Sequence, residues 1–387
     1  MKMSIEKIFR QIDALFPTYL SVWEALCTIE SPSDSKEGLD AACDYVIALA
    51  AERGWEIEVF EDTGKAGKIA SITLAPRAKG SLLCLSGHLD TVHPVGLFGY
   101  PPTRMEGDRI YGPGVTDCKG GIVAALLAMD ALDRAGFSDR PVRLLLQSDE
   151  EVGSRYSDRR TINYIIDQSK DAVAFLNLEP AYPGTACIAR KGIVTYTFTV
   201  NGVEAHTSLC AVAGSNAILE AAHKIIELEK IKDDAGLTCC CSVISGGTVS
   251  NTVPGQCVFK ANVRYATREQ LAYMDDYAKA VSEKVFVKGC TTTFTRSSRG
   301  RIMMELCERN LSLLDALNEA FKKAGLSPLE GKKRGGGSDA ADVTEAGIPC
   351  LDSLGVVGDY IHSADEVAEI ESLRQAAMRI ASAACFL

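Results

Sequence analysis

His88 and Asp90 stand two residues apart in Gly87-His88-Leu89-Asp90-Thr91-Val92, just after a strand-like run at 81–86. On an extended backbone, residues two apart face the same side. An imidazole with a carboxylate beside it suits a metal ligand whose other ring nitrogen is held in place. A His–Asp pair that only caps a strand is the plainer alternative. Asp117 lies in Gly112-Pro113-Gly114-Val115-Thr116-Asp117-Cys118-Lys119-Gly120-Gly121, a glycine-rich loop that opens onto an apolar helix pattern. An aspartate there ordinarily serves as an N-cap. Asp149-Glu150-Glu151 follows the buried-strand pattern at 142–147. Three consecutive acids repel one another unless something cationic sits among them. Glu179-Pro180 again puts an acid at a strand end, and Tyr360-Ile361-His362-Ser363-Ala364-Asp365 supplies a second histidine near the C-terminus.

Each cluster is modest alone. Together they bring two histidines and several carboxylates to the ends of predicted strands, where α/β sheets keep their ligand sites. Five ligands around two divalent ions fit that inventory, with an aspartate bridging. Histidine with carboxylates favours zinc and also accepts manganese or cobalt. Ion pairs of this kind, about 3.5–4 Å apart, clamp an attacking oxygen and a substrate oxygen. His93 and His223 fall outside the set and are expected in structural, rim or solvent-facing positions. Gly335-Gly336-Gly337 precedes a helix pattern and offers backbone N–H groups to an anion. No Gly-Lys-Ser/Thr follows, so it is not a nucleotide loop.

The elements that must position these residues alternate. Helical periodicity runs through 4–28 and 36–52, and apolar strands follow near 55–60, 68–75 and 81–86. A buried helix is expected at 122–132, with buried strands at 142–147 and 173–178. Short apolar strands separated by helices indicate an α/β architecture, a mixed sheet covered by helices on both faces. From Lys191 the style changes. Ile193-Val194-Thr195-Tyr196-Thr197-Phe198-Thr199-Val200 alternates, as a half-exposed strand does. Helix, two strands, helix and strand then complete βαββαβ, a small α+β domain. After Arg301 the first style resumes. The expected organisation is a catalytic domain from 1–190 and 301–387, with 191–300 inserted.

Over 387 residues, hydrophobic positions make up 47% and charged ones 24%. That composition belongs to a globular chain and excludes disorder, collagen-like repeats and coiled-coil rods. The net charge of −10 with no basic block argues against nucleic-acid binding. The longest apolar run, 122–129, is far short of a membrane span. With no apolar leader segment, a cytoplasmic protein is expected, and the fourteen cysteines read as scattered reduced thiols. Cys239, Cys240 and Cys241 alternate faces on a strand and are read as packing.

With these motifs the chain resembles the M-twenty family of metallopeptidases, di-zinc exopeptidases and deacylases. Further matching segments are Ala205-His206, Val249-Ser250-Asn251-Thr252-Val253-Pro254, Gly335-Gly336-Gly337-Ser338-Asp339 and Tyr360-Ile361-His362-Ser363. Asn262-Val263-Arg264-Tyr265-Ala266 and the glycine turn look most like the bacterial glutamate carboxypeptidases within it. The resemblance implies a zinc-exopeptidase-like catalytic domain with an inserted lid and dimerisation domain. It implies that Asp117 bridges two metals, that His88 and Glu179 complete one site, and that Glu151 and His362 complete the other. Asp90 would orient His88. Glu150 would be the general base, taking a proton from the attacking water and handing it to the leaving amine. His206 would stabilise the oxyanion from the partner subunit of a homodimer. Arg301 or Arg299, with Asn251, Gly336 and Gly337, would meet the substrate. The Asp117–Cys118 peptide is expected to be cis. The implied activity is hydrolysis of a small peptide beside a free α-carboxylate, with N-acyl-amino-acid deacylation or aminopeptidase action as the alternative. Residues 181–189 contain no lysine where the glutamate carboxypeptidases keep one, so the released side chain stays open.

Overall fold

Continuous apolar runs, rather than alternating ones, mark strands that are buried on both faces. Ile69–Leu74 is buried throughout, and Leu82–His88 at every position but its first. The computed structural model describes residues 4–233, 236–297 and 300–387. In it these strands belong to a six-stranded sheet ordered Glu56–Phe60, Ile69–Leu74, Val142–Gln147, Leu82–His88, Ala172–Asn177, Cys350–Leu351. The last four run parallel, and the first two form an antiparallel edge. The sheet is therefore mixed, as the sequence pattern leads one to expect. Register then matters for function. His88 pairs with Gln147, and Ser86 with Asn177. The three central strands end together, so His88, the 149–151 acids and Glu179 leave the sheet at one edge.

Helix Lys119–Ala135 packs between strand Leu82–His88 and the helices Ile5–Thr28 and Ile370–Phe386. It is buried at nearly every position, as expected of a helix that is apolar all round. Its start approaches the backbone closely. A Cβ at Gly121 would overlap the Leu178 carbonyl oxygen, and one at Gly87 would lie 2.7 Å from Ile122 Cγ1. Small residues are required where the Asp117 loop meets the strands that end in His88 and Glu179. A second sheet, of short antiparallel strands, is ordered Gly358–Asp359, Val367–Glu369, Arg109–Tyr111, Arg104–Glu106. The turn between its first two strands carries His362.

The chain divides into two units. The larger comprises Met1–Ala189, Leu306–Lys333 and Ser338–Leu387, and the smaller Arg190–Glu305 with Arg334–Gly337. The smaller unit has a four-stranded antiparallel sheet ordered Thr238–Gly246, Gln256–Tyr265, Gly192–Asn201, Thr291–Arg296, with helices Ala217–Leu228 and Arg268–Glu283. Along Gly192–Asn201 buried and half-buried positions alternate, as the Thr-interleaved sequence requires. Phe198 and Phe259 stack at 4.8 Å between ring centroids in its core. This unit reaches past 191–300 at both ends. Ile193 N donates to Arg301 O and Lys191 N to Arg334 O, and these bonds draw Arg301 and the glycine turn into it. Arg299 lies outside the described residues. All fourteen cysteines are free thiols. Among the described residues, no helix is long and apolar enough to cross a membrane.

Candidate metal centre

The Asp117 carboxylate stands between two imidazoles. Its Oδ1 is 3.0 Å from His88 Nε2, and its Oδ2 is 3.2 Å from His362 Nε2. Glu179 Oε1 lies 3.7 Å from His88 Nε2, and Glu151 Oε2 lies 3.3 Å from His362 Nε2. Donor atoms of His88, Asp117 and Glu179 all fall within 4.8 Å of one another, as do those of Asp117, Glu151 and His362. Two triads share one aspartate.

Each side chain is aimed by a local device. His88 Nδ1 is 2.9 Å from the Asp90 carbonyl oxygen. A carbonyl only accepts, so Nδ1 carries a proton, and the ring so fixed directs Nε2 at Asp117 Oδ1. The Asp90 carboxylate sits farther from that ring, 3.4 Å from Nδ1. It accepts instead from Glu150 N at 3.1 Å, Glu151 N at 3.0 Å and the Ser33 hydroxyl at 2.8 Å. Asp90 thus orients His88 through its backbone and holds the acidic turn through its side chain. Asp149 points away from the cluster, where its carboxylate accepts from Ser157 N and the Thr161 hydroxyl. One of the three consecutive acids is therefore satisfied by hydrogen bonds alone. His362 is held at φ 63°, a sparsely populated conformation for a side chain of its size. The Asp117–Cys118 peptide is cis.

The charge balance of this cluster calls for cations. Burial, with Asp117 and Glu150 nearby, pushes the Glu179 carboxyl well above the usual range. Glu151 is also raised by burial, although its hydrogen bond to His362 works against this. Burial opposes a charged His88, but the carboxylates of Asp117 and Asp90 outweigh it and hold its pKa well up. Hydrogen bonds to Asp117 and Glu151 lift His362 to about 10. Burial would raise Asp117, yet the two imidazoles hold it below the usual carboxylate range. Burial thus works against negative charge on carboxylates whose donor atoms converge. An oxygen-and-imidazole donor set of this kind fits divalent ions of the zinc, manganese or cobalt type.

In the smaller unit the named residues form two groups. His206 pairs with Thr252, and Asn251 O accepts from Thr207 N, so His206 and Asn251 are neighbours. Ser208 N donates to His206 Nδ1 at 3.2 Å, so a proton on this exposed ring sits on Nε2. Arg301 lies against the glycine turn, where a Cβ at Gly337 would come within 2.8 Å of Arg301 Cγ. Arg190 and Arg264 donate to the carbonyls of Gly336 and Gly335. The turn is therefore surrounded by arginines, a feature the spacing of single arginines does not reveal. In the larger unit, His93 and Glu366 contact each other, and Glu366 contacts the backbone of the loop that carries Asp117; neither was assigned to the site from sequence. The only signal for Glu366 is an acid four residues after His362.

Known proteins resemble this chain in sequence and in fold. Carboxypeptidase G2 of Pseudomonas sp. (strain RS-16) is 29% identical over 356 residues, covering 90% of this chain and 83% of that one. Succinyl-diaminopimelate desuccinylase of Sulfurovum sp. (strain NBC37-1) is 26% identical over 321 residues, covering 77% and 82%. A tripeptidase structure from Staphylococcus aureus superposes with a TM-score of 0.81 at 20% identity, covering 96% of this chain and 98% of that one. The model of Peptidase family M20/M25/M40 matches residues 84–385. That stretch runs from the strand ending in His88 to the last helix, and on it the chain belongs to peptidase family M20/M25/M40.

Proposed function

We propose that this chain is a two-metal exopeptidase that hydrolyses the amide bond beside a free α-carboxylate of a small peptide, as a glutamate-carboxypeptidase-like enzyme would. The observation that carries the reading is the sharing of Asp117 between two triads of converging donor atoms. His88, Asp117 and Glu179 would hold one divalent ion, and Asp117, Glu151 and His362 the other, zinc by preference. Bound there, the ions supply Lewis acidity at the scissile carbonyl and lower the pKa of water to about 7. Glu150 is buried, and near enough to Glu179 to raise it. Its carboxylate takes the proton of the attacking water and delivers it to the leaving nitrogen.

The smaller unit supplies binding groups in this reading. His206, with its proton on Nε2, is the oxyanion donor and acts from the second subunit of a homodimer. Exposed Leu219 and Ile226 on helix Ala217–Leu228, with Val243 and Ile244 on the sheet's edge strand, support self-association through this unit. Arg301 grips the substrate carboxylate with two parallel hydrogen bonds, assisted by Asn251 and the Gly336–Gly337 backbone. Fourteen free thiols fit a cytoplasmic location.

Likeness to a desuccinylase favours a second reading on the same metal residues, removal of an acyl group from an N-acyl amino acid. One experiment separates the two. Amino-acid release is measured from dipeptides, their C-terminal amides and N-acyl amino acids, with metal content determined on the same protein. Preference for free-carboxylate dipeptides and two metal equivalents are expected. Equal cleavage of the amides would overturn the carboxypeptidase reading.

A further inference from the structure

Glu366 is fully buried, and the donors facing its carboxylate come from the loop that carries Asp117 and from His93. Oε1 accepts from Thr116 N and Asp117 N, both at 2.9 Å. Oε2 accepts from Gly114 N at 3.1 Å and lies 2.7 Å from His93 Nε2. The Glu366 carbonyl accepts from Gly112 N at 3.3 Å, and Thr116 Oγ1 donates to Val367 O at 2.9 Å. The Gly112–Asp117 backbone is therefore wrapped around one acidic side chain. His93 is itself buried, with its ring edge-on to Phe98 at 5.0 Å. Several backbone N–H groups turned on one anion form a concave nest for it.

The loop so held presents the aspartate common to both triads. Glu366 also follows His362 by four residues in one turn, so a single short segment supplies a donor to one triad and the clamp on the residue shared by both. We propose that Glu366, steadied by His93, is the positioning residue that fixes Asp117 and thereby sets the affinity for both metal ions together. Glu366 touches no reacting atom. The proposal rests on the two-metal reading above.

Glu366→Gln places an NH2 donor where an oxygen now accepts two N–H groups, leaving buried donors without partners. His93→Gln keeps a nitrogen that can donate to Glu366, whereas His93→Phe removes it. Zinc and cobalt are titrated into the metal-free full-length protein and each variant, in competition with a chromophoric chelator. The cobalt absorption spectrum and the far-UV circular dichroism are recorded alongside. Loss of outer hydrogen-bond partners typically weakens metal binding by about 10–100-fold. Glu366→Gln is expected to lose that much at both equivalents, with altered cobalt bands and unchanged secondary structure. His93→Phe should shift in the same direction, and His93→Gln should stay close to the parent. This pair keeps the test open if Glu366→Gln does not fold. Parent-like affinity in both Glu366→Gln and His93→Phe, or a loss confined to one ion, would overturn the proposal. Failure of the parent protein to bind either ion would instead overturn the two-metal reading.

Discussion

Glu150 and Glu151 are neighbours whose backbone N–H groups are gripped by the two oxygens of one carboxylate, Asp90. The grip fixes the turn and lets the two side chains take different tasks. Glu151 meets His362, while Glu150 stays buried beside the cluster without belonging to either triad. If Glu150 carries the proton, Glu150→Gln should fold and hold metal like the parent but turn over more slowly, by roughly 10²–10⁴-fold. Steady-state kinetics on protein of measured metal content checks this, and near-parent turnover would place the base elsewhere. Arg301 makes the complementary case for binding. Losing one partner of a desolvated charge pair costs about 2–5 kcal/mol. Arg301→Ala should lower kcat/KM by that margin for free-carboxylate substrates and barely for their C-terminal amides. An equal loss on both would argue against a carboxylate clamp.

Elements place these residues through close approach as much as through hydrogen bonding. Helix Lys119–Ala135 begins where Gly121 rests on the Leu178 carbonyl, one residue before Glu179, and Cys118 Sγ donates to the same oxygen at 2.9 Å. Helix start and strand end therefore cannot shift independently. A methyl group at position 121 has no room, and overpacking a core typically costs about 1–3 kcal/mol. Gly121→Ala should show that loss in urea unfolding, and a weaker metal affinity because Asp117 and Glu179 are pushed apart. A variant destabilised to this degree but binding metal like the parent would show that the contact serves packing alone.

For the whole molecule, the metal reading makes a stability claim. An ion present at about 1,000 times its Kd stabilises the folded state by about 4 kcal/mol. Chelation should therefore lower the melting temperature as well as abolish hydrolysis, and zinc, cobalt or manganese should restore both. A metal-free protein, verified by elemental analysis, that keeps full activity would refute the centre. The dimer reading has its own test. Glu150→Gln and His206→Ala are each expected to be inactive, and one oxyanion donor is worth about 10²–10³ in turnover. Mixed after subunit exchange, they should regain activity, because one site of the hybrid has a native Glu150 and a native partner His206. Proven exchange without recovery would mean that His206 does not act across subunits.

The strand and helix pattern was legible in the residues because burial on two faces demands continuous apolar runs. Val142–Gln147, Ala172–Asn177 and Gly192–Asn201 fall where the patterning puts them, to within a residue or two. Strands of two or three residues, such as Arg109–Tyr111 and Val367–Glu369, escaped it because a period needs length to register. The family resemblance of the motifs singled out His88, Asp117, Glu151, Glu179 and His362, and the donor atoms of these five converge in two triads. Sequence could not say that Asp90 works mainly through its backbone on His88 and through its carboxylate on the next turn. Nor could it show that Asp149 turns away, that arginines gather around the 335–337 turn, or that Glu366 organises the Asp117 loop. Each of these is a contact between segments far apart in the chain. Residue types can be read one position at a time, whereas the direction of a buried carboxylate depends on which distant N–H groups the fold brings to meet it.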